Sequence, residues 1–264
     1  MSAAKSLPIS VTIITKNEET RIQETIQSVI QWVDEVIVVD SESTDRTREI
    51  ASLLGARVFV NPWPGYGQQK RFAEDLADND WILNIDADER VLPELAQSIK
   101  SEFASDKLKD GYKLGIADQF VASEKVSRHC QYFPVRLYRK SVGRYRDSSV
   151  HDRVVMPKSA NIGKLEGKIA HKSITSFRQR IEKMNDYTDA QVADLFVKGR
   201  KPKKLRVFSE FFWTFLVCFI VRGYWRDGIM GYIYAVNFAY SRFLRQIKLL
   251  ELYQQKQHFA RTDE

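Results

Sequence analysis

The sequence predicts an α/β protein whose amino-terminal part is a doubly wound, Rossmann-like nucleotide-binding sheet, followed by a helical, aromatic-rich carboxyl-terminal extension. Three observations carry this. Short β-branched runs recur without alternation, as strands buried on both faces of a parallel sheet require. Apolar residues at helical spacing separate them. Each run then ends in polar residues, at the place where open α/β sheets bind their ligands.

The runs are ISVTIIT (Ile9 to Thr15), EVIVVD (Glu35 to Asp40) and WILNID (Trp81 to Asp86). Between the first two, Ile22, Ile26, Val29, Ile30 and Val33 recur at helical spacing. After the second, Ser43, Thr44 and Asp45 form a cap signal ahead of Ile50, Ala51, Leu53 and Leu54. ARVFV (Ala56 to Val60) reads as a further strand, and the order β-α-β-α-β-α-β through Asp86 defines the nucleotide-binding half. From about Asp106 to Lys172, strand-like pieces alternate with Gly and polar turns, and helical pattern returns after Ser173. The expected division is a catalytic domain over residues 1–175 and a helical region over 176–264.

The 264 residues accommodate one α/β domain with an appendage, or two small domains. With 44% hydrophobic and 28% charged residues, the composition argues against disorder and against a membrane-embedded bulk. Cys130 and Cys218 stand far apart without metal-type spacing, which fits a reducing compartment, and MSAAKSLPIS lacks the apolar core of an export signal. These readings predict a cytoplasmic protein. The net charge of +7 points to anionic partners: nucleotide phosphates, acidic lipid headgroups or nucleic acid. The basic run KGRKPKKLR (Lys198 to Arg206) keeps the last class open, although no nucleic-acid-binding motif accompanies it and none is expected as a partner.

Strand-end polar residues converge on one rim: Thr15, Lys16, Asn17 and Glu18; Asp40, Ser41 and Ser43; Asp86, Ala87 and Asp88. Aspartates at i and i+2 after a buried strand suit ribose or phosphate contact together with a hard cation, since Mg²⁺ and Mn²⁺ bind through one or two carboxylates plus substrate phosphates. Taken alone, the triplet is also what a solvated turn looks like. Arg136 and Arg139, alternating with apolar residues in VRLYRK, are expected on one strand face, where they would meet a phosphorylated acceptor or serve as ordinary surface charge.

ILNIDADE resembles the DxD segment of family 2 glycosyltransferases. VTIITKNEE resembles that family's first strand and loop, and VVDSESTDRT its second, uridine-contacting motif, with matching spacing. PGYGQQKRFA (Pro64 to Ala73) occupies the place of the helix beside the diphosphate. VRLYRK, SSVHDRV (Ser148 to Val154) and IAHKSITSF (Ile169 to Phe177) resemble a narrower branch, the inner-core β-1,4-glucosyltransferases of bacterial lipopolysaccharide and lipooligosaccharide, or WaaE group. That branch usually has His-Glu where this chain has His151-Asp152.

The resemblance implies a GT-A type nucleotide-sugar-binding domain and inverting, metal-dependent transfer of a sugar, glucose from UDP-glucose, to the heptose inner core of a lipid A-linked acceptor. Other family 2 donors and lipid-linked or polysaccharide acceptors are the alternative. It implies Asp88 as ligand of a divalent metal, Mg²⁺ or Mn²⁺, and Asp86 on ribose or metal. Asp40 and Glu18 would read the uridine, and Thr15 and Asn17 would shape the base pocket. Asp152 would be the catalytic base. Lys70 would offset phosphate charge or be solvated. His171 would ligate the metal or diphosphate, or be a structural histidine. His151 would orient the loop by hydrogen bonding on the acceptor side.

FFWTFLVCFIV (Phe211 to Val221) is an uncharged run of eleven, short of the roughly 20 residues a bilayer requires. Lys203, Lys204, Arg206, Arg222 and Arg226 flank it, and Trp213, Tyr224, Trp225, Tyr232 and Tyr234 surround it. Basic and aromatic flanking suits a peripheral helix on the anionic inner leaflet of the cytoplasmic membrane. A core helix or dimer interface has the same pattern.

Overall fold

The computed structural model describes residues 6–105, 107–121, 123–129, 131–148 and 153–262, the side chains of Lys204 and of 257–262 excepted. The chain divides into two compact units, Met1–Asp118 with Cys130–Ser173, and Gln119–His129 with Ile174–Glu264.

The first unit opens with β1 (Leu7–Thr15), α1 (Ile22–Gln27), β2 (Val33–Asp40), α2 (Thr47–Leu53), β3 (Arg57–Val60), α3 (Tyr66–Asp75) and β4 (Trp81–Asn84). It continues through β5 (Glu89–Val91), α4 (Pro93–Phe103), β6 (Gly111–Asp118), β7 (Val135–Arg139), β8 (Arg144–Tyr145), β9 (Val154–Val155) and β10 (Ile162–His171). Eight strands form one sheet in the order β3-β2-β1-β4-β7-β6-β10-β5, and β8 pairs with β9.

The expected alternation is present, with two adjustments. Val33, expected on the first helix, opens β2 instead. The helix stops early at Ser28, whose hydroxyl donates to the Thr25 carbonyl at 2.7 Å, the local competition with helix that serine offers. The third main strand ends at Asn84, two residues before Asp86, so the carboxylate pair lies in the turn to β5.

Strand direction positions the site. β1 runs parallel to β2 and β4, and β2 to β3. β7 is antiparallel to both β4 and β6, and β10 is parallel to β6. β1, β2, β3, β4, β6 and β10 therefore all point the same way. Their carboxyl ends deliver Thr15, Asp40, Asn84, Asp118 and His171 to one edge, and the reversed β7 brings its first residues there.

Apolar residues pack on both faces of this sheet. Ile9, Val11, Ile13, Val36, Val38, Leu83 and Leu137 fill one, against Ile22, Ile26, Leu95 and Ile99. Ile14, Ile37, Val39, Ile82 and Tyr138 fill the other, with Ala73 of α3 and Tyr145 of β8. Burial on both faces explains why the strand sequences show no alternation.

The second unit contains α5 (Phe177–Val197), α6 (Lys204–Leu216), one turn of π-helix at Val217–Val221, a 3₁₀ turn at Tyr224–Asp227 and α7 (Gly228–Thr262). Phe120, Cys218, Tyr224, Tyr234 and Ala235 form its buried apolar cluster. The Tyr234 hydroxyl accepts from the Val121 amide at 3.2 Å, and Asp227 accepts from Ser127 Oγ at 2.6 Å. Among the described residues no helix is long and apolar enough to cross a membrane.

Candidate active site

At the carboxyl edge, Asp86 sits between two buried cations. Lys70 Nζ lies 2.7 Å from its Oδ1, and Arg136 Nη2 donates to its Oδ2 at 2.9 Å. Lys70 reaches it because α3 packs on the face beside Tyr145, whose ring lies 5.2 Å from the ammonium. Arg136, at the start of β7, also donates to Asn84 Oδ1 at 2.6 Å and to Glu89 Oε1 at 3.3 Å. Glu89 in turn accepts from the Asp86 amide at 2.9 Å. Two carboxylates and two cations thus neutralise one another in a cluster that is buried except at Asp86, the arrangement under which buried charge is tolerated. Burial alone would raise the Asp86 carboxyl, but Arg136 and Lys70 hold it far below the ordinary carboxylate range. Glu89 goes the other way: burial raises it in spite of Arg136.

Asp88 faces a different partner. His171 Nε2 lies 3.5 Å from its Oδ2, and Arg21 Nη1 3.7 Å from the same oxygen. On its other side His171 Nδ1 lies 3.9 Å from Asp118 Oδ1. The register makes this neighbourhood, since His171 pairs with Asp118 on β6 and with Glu89 on β5. Burial disfavours the imidazolium, yet Asp88, then Glu89 and Asp118, push the His171 pKa up to about 9. Burial likewise raises Asp88, and the hydrogen bond and charge of His171 bring it below the usual value.

No group of three or more His, Cys, Asp or Glu side chains among the described residues is placed to hold a metal ion. What the rim offers is one carboxylate and one imidazole, on Asp88 and His171. That donor set would suit a Mg²⁺ or Mn²⁺ ion completed by ligands from outside the protein, and does not fit an all-protein cage.

The first two strand-end loops are stitched together. Asn17, at φ 55°, donates its amide to Ser43 Oγ at 2.8 Å and accepts from the Thr44 amide at 2.9 Å. The Glu18 amide donates to Thr47 Oγ1 at 2.7 Å. A left-handed conformation is tolerated by Asn better than by most residues, and here it turns the side chain onto the neighbouring loop. Asp40 is fully buried; its Oδ1 accepts from the Ser43 amide at 2.8 Å and its Oδ2 from the Ser43 hydroxyl. The Glu18 carboxylate takes both Arg21 Nε, at 2.6 Å, and Nη2, at 2.7 Å. Both carboxylates thus shape the loops directly. Thr15 Oγ1, at the end of the central β1, is buried and has no hydrogen-bond partner among the described residues.

Three expectations require correction. Arg136 and Arg139 do not share a face: residues three apart on a strand point to opposite sides. Arg136 lies with Asn84 and Tyr145 at the rim, whereas Arg139 stacks over Trp81 at 4.8 Å and lies 3.6 Å from Asp80, at the other end of the strand. Arg139 is therefore remote from the rim. Arg136 is 5% exposed and committed to Asp86 and Glu89, so it is not open to an acceptor phosphate. Lys70 is 1% exposed and paired, not solvated. His151 and Asp152 lie outside the described residues.

Sequence reasoning did not single out Arg21, Glu89 or Asp118. Glu89 was the most accessible to it, because an acidic residue directly after a DxD turn, at the start of a strand, needs a buried cation. Arg21 and Asp118 carry no comparable local signal: Arg21 arrives from the turn that caps α1, and Asp118 through sheet register.

A mixed, mostly parallel α/β sheet with carboxylates and cations gathered at its carboxyl edge is a GT-A-like α/β fold. Residues 10–155 match the sequence profile of Glycosyl transferase family 2, and the chain belongs to that family. It is 41% identical over 263 residues to an uncharacterized glycosyltransferase of Rickettsia bellii, spanning 96% of this chain and 89% of that one. It is 29% identical over 253 residues to the lipopolysaccharide core biosynthesis glycosyltransferase LpsC of Rhizobium meliloti, spanning 93% of each. Among solved structures, it is similar to glucosyl-3-phosphoglycerate synthase of Mycobacterium tuberculosis in complex with Mn²⁺, UDP and glucosyl-3-phosphoglycerate. That match has 27% identity and a TM-score of 0.35, over 42% of this chain and 44% of that one. Family membership sets aside the nucleic-acid-binding alternative.

Proposed function

We propose that the chain is an inverting, metal-dependent hexosyltransferase that transfers glucose from UDP-glucose to the heptose inner core of a lipid A-linked acceptor, as in the WaaE group. The observation that carries the donor half is the Asp88–His171 pair, 3.5 Å apart at the carboxyl edge, beside an Asp86 already neutralised by Lys70 and Arg136. The acceptor class is supported by the 29% identity with LpsC.

Asp88 and His171 would hold a divalent ion, which supplies charge neutralisation for the departing diphosphate. Lys70 and Arg136 hold Asp86 ionised and in place, so that its carboxylate meets the nucleotide in one geometry. The buried Thr15 hydroxyl, without a hydrogen-bond partner among the described residues, would take a polar group of the base once uncovered, and the two joined strand ends carrying Asn17 and Glu18 and carrying Asp40 frame the nucleoside. Asp152 is the proposed base. It takes the proton of the acceptor hydroxyl as that oxygen bonds to the anomeric carbon; the bond from that carbon to the diphosphate breaks on the opposite side, UDP leaves and configuration inverts.

The row of exposed apolar side chains on α6 supports work at a membrane surface, with the protein peripheral to the cytoplasmic face. A panel of nucleotide sugars offered to purified protein, with mass analysis of lipopolysaccharide from a deletion strain, tests the whole reading. UDP-glucose turnover and loss of one inner-core hexose are expected. Exclusive use of another donor refutes the glucose assignment, and an unchanged core refutes the acceptor.

A further inference from the structure

Within the helical unit, the end of α5, the turn that follows it, α6 and α7 line a half-open cavity of about 400 Å³. Five cations line it, Arg200, Lys201, Lys203, Arg206 and Arg245, together with Gln246. Local chain chemistry explains the crowding. Gly199, at φ 66°, closes α5 with Arg200 N donating to the Leu195 carbonyl at 2.9 Å and Gly199 N to that of Phe196 at 3.0 Å. This Schellman cap reverses the chain at once. Arg200, Lys201 and Lys203 are thereby delivered beside Arg245 of α7.

The cations outnumber their partners. Glu210 is the carboxylate at this site, accepting from Arg245 Nη2 at 2.8 Å and Gln246 Nε2 at 3.0 Å. Arg200, Lys201, Lys203 and Arg206 have no ion-pair partner among the described residues. Arg245 is only 16% exposed at its side chain, and its buried Nε has no hydrogen-bond partner among the described residues. Burial, then Arg242 and more weakly Arg206, lowers the Arg245 pKa against the pull of Glu210. Four cations without an ion pair among the described residues, gathered with Arg245 in one pocket, suit a phosphate group, which accepts from several donors at once.

On the helix that supplies Arg206, α6 also presents Leu205, Phe208 and Phe212, at 79%, 76% and 67% exposure, along another face. A soluble phosphate has no use for that row, whereas an amphiphile does. We propose that this cavity binds the phosphate headgroup of an anionic membrane lipid while the exposed row on the same helix, α6, meets the acyl region of the membrane. The inference deepens the membrane-surface part of the proposed function and rests on it.

The test uses the full chain with vesicles of phosphatidylcholine, with and without phosphatidylglycerol. Lys201→Gln with Lys203→Gln, both exposed positions, is expected to leave the thermal melt unchanged. It should lower affinity for phosphatidylglycerol vesicles by roughly thirty-fold, the effect of two juxtamembrane charges. Glycerol 3-phosphate should compete with vesicles for the wild-type chain and not for the variant. Arg222→Gln with Arg226→Gln, exposed cations that do not line the cavity, controls for general charge. An equal loss in that control with no competition by glycerol 3-phosphate overturns the cavity site in favour of diffuse attraction. Saturable glycerol 3-phosphate binding without headgroup-dependent vesicle binding overturns the lipid as occupant. Failure of the wild-type chain to bind either vesicle sinks the membrane reading itself, whereas vesicle binding fully retained by the Lys201/Lys203 variant sinks the cavity site alone.

Discussion

Arg136 joins Asp86 to Glu89: one guanidinium nitrogen lies 2.9 Å from the first carboxylate and 3.3 Å from the second. The cation comes from a strand antiparallel to β4, so the negative turn after β4 is completed from β7 and not by its own sequence neighbours.

Arg136→Met is therefore expected to destabilise the fold by about 3 kcal/mol, because it strips the buried Glu89 of its cation and leaves the partly exposed Asp86 to Lys70 alone. Arg136→Lys should rescue only part, since an ammonium cannot span both partners and Asn84 as a planar fork does. Urea midpoints at constant slope measure this, and a wild-type midpoint in Arg136→Met contradicts the neutralising role.

Asp88→Asn should abolish transfer and weaken metal-dependent UDP binding while leaving the circular dichroism spectrum unchanged. Turnover near wild type at matched metal concentration is incompatible with Asp88 as a ligand.

Thr15→Val removes a buried hydroxyl that has no partner, so stability should be unchanged or slightly increased. UDP affinity should fall by about two- to thirteen-fold, the worth of one neutral hydrogen bond of about 0.5–1.5 kcal/mol. Calorimetric titration with UDP decides it; unchanged affinity places the base elsewhere.

For Asp152→Asn, turnover should drop by a factor on the order of 10²–10⁴ with donor binding nearly intact, the usual range for a lost general base. A collapse of donor affinity instead reassigns Asp152 to the donor or metal site.

Serine at Phe208, Phe212 and Trp213, which are 76%, 67% and 69% exposed, should release the protein from anionic vesicles. Each large apolar side chain contributes about 1.5–3 kcal/mol when fully buried, so three exceed what weak peripheral binding requires even after a large discount. The structure selects Phe208 over Phe211, which is half-buried. Activity on intact lipid acceptor should fall more than on a soluble fragment, and misfolding of the triple variant marks the row as core or interface.

The alternation of elements through β4 was legible because its signals are local. Hydrophobic period, turn residues and strand-end aspartates each report within a few neighbouring positions, and the DxD turn with the flanking motifs was sufficient to identify the family. Partnership was not legible. Lys70 looked as much like a solvated lysine as a site residue, and only the packing of α3 against Tyr145 buries it on Asp86. Arg136 and Arg139 looked equivalent, and strand direction with two-residue periodicity sends one to the rim and the other to Trp81. His171 meets Asp88 because β10 runs parallel to β6 and carries its last residue to the same edge as the turn after β4. Which residue types were present, and in what order along the chain, the sequence determined by itself. Which charges neutralise one another was decided by sheet order and register, because electrostatic pairing depends on distances of a few ångströms between segments far apart in the chain.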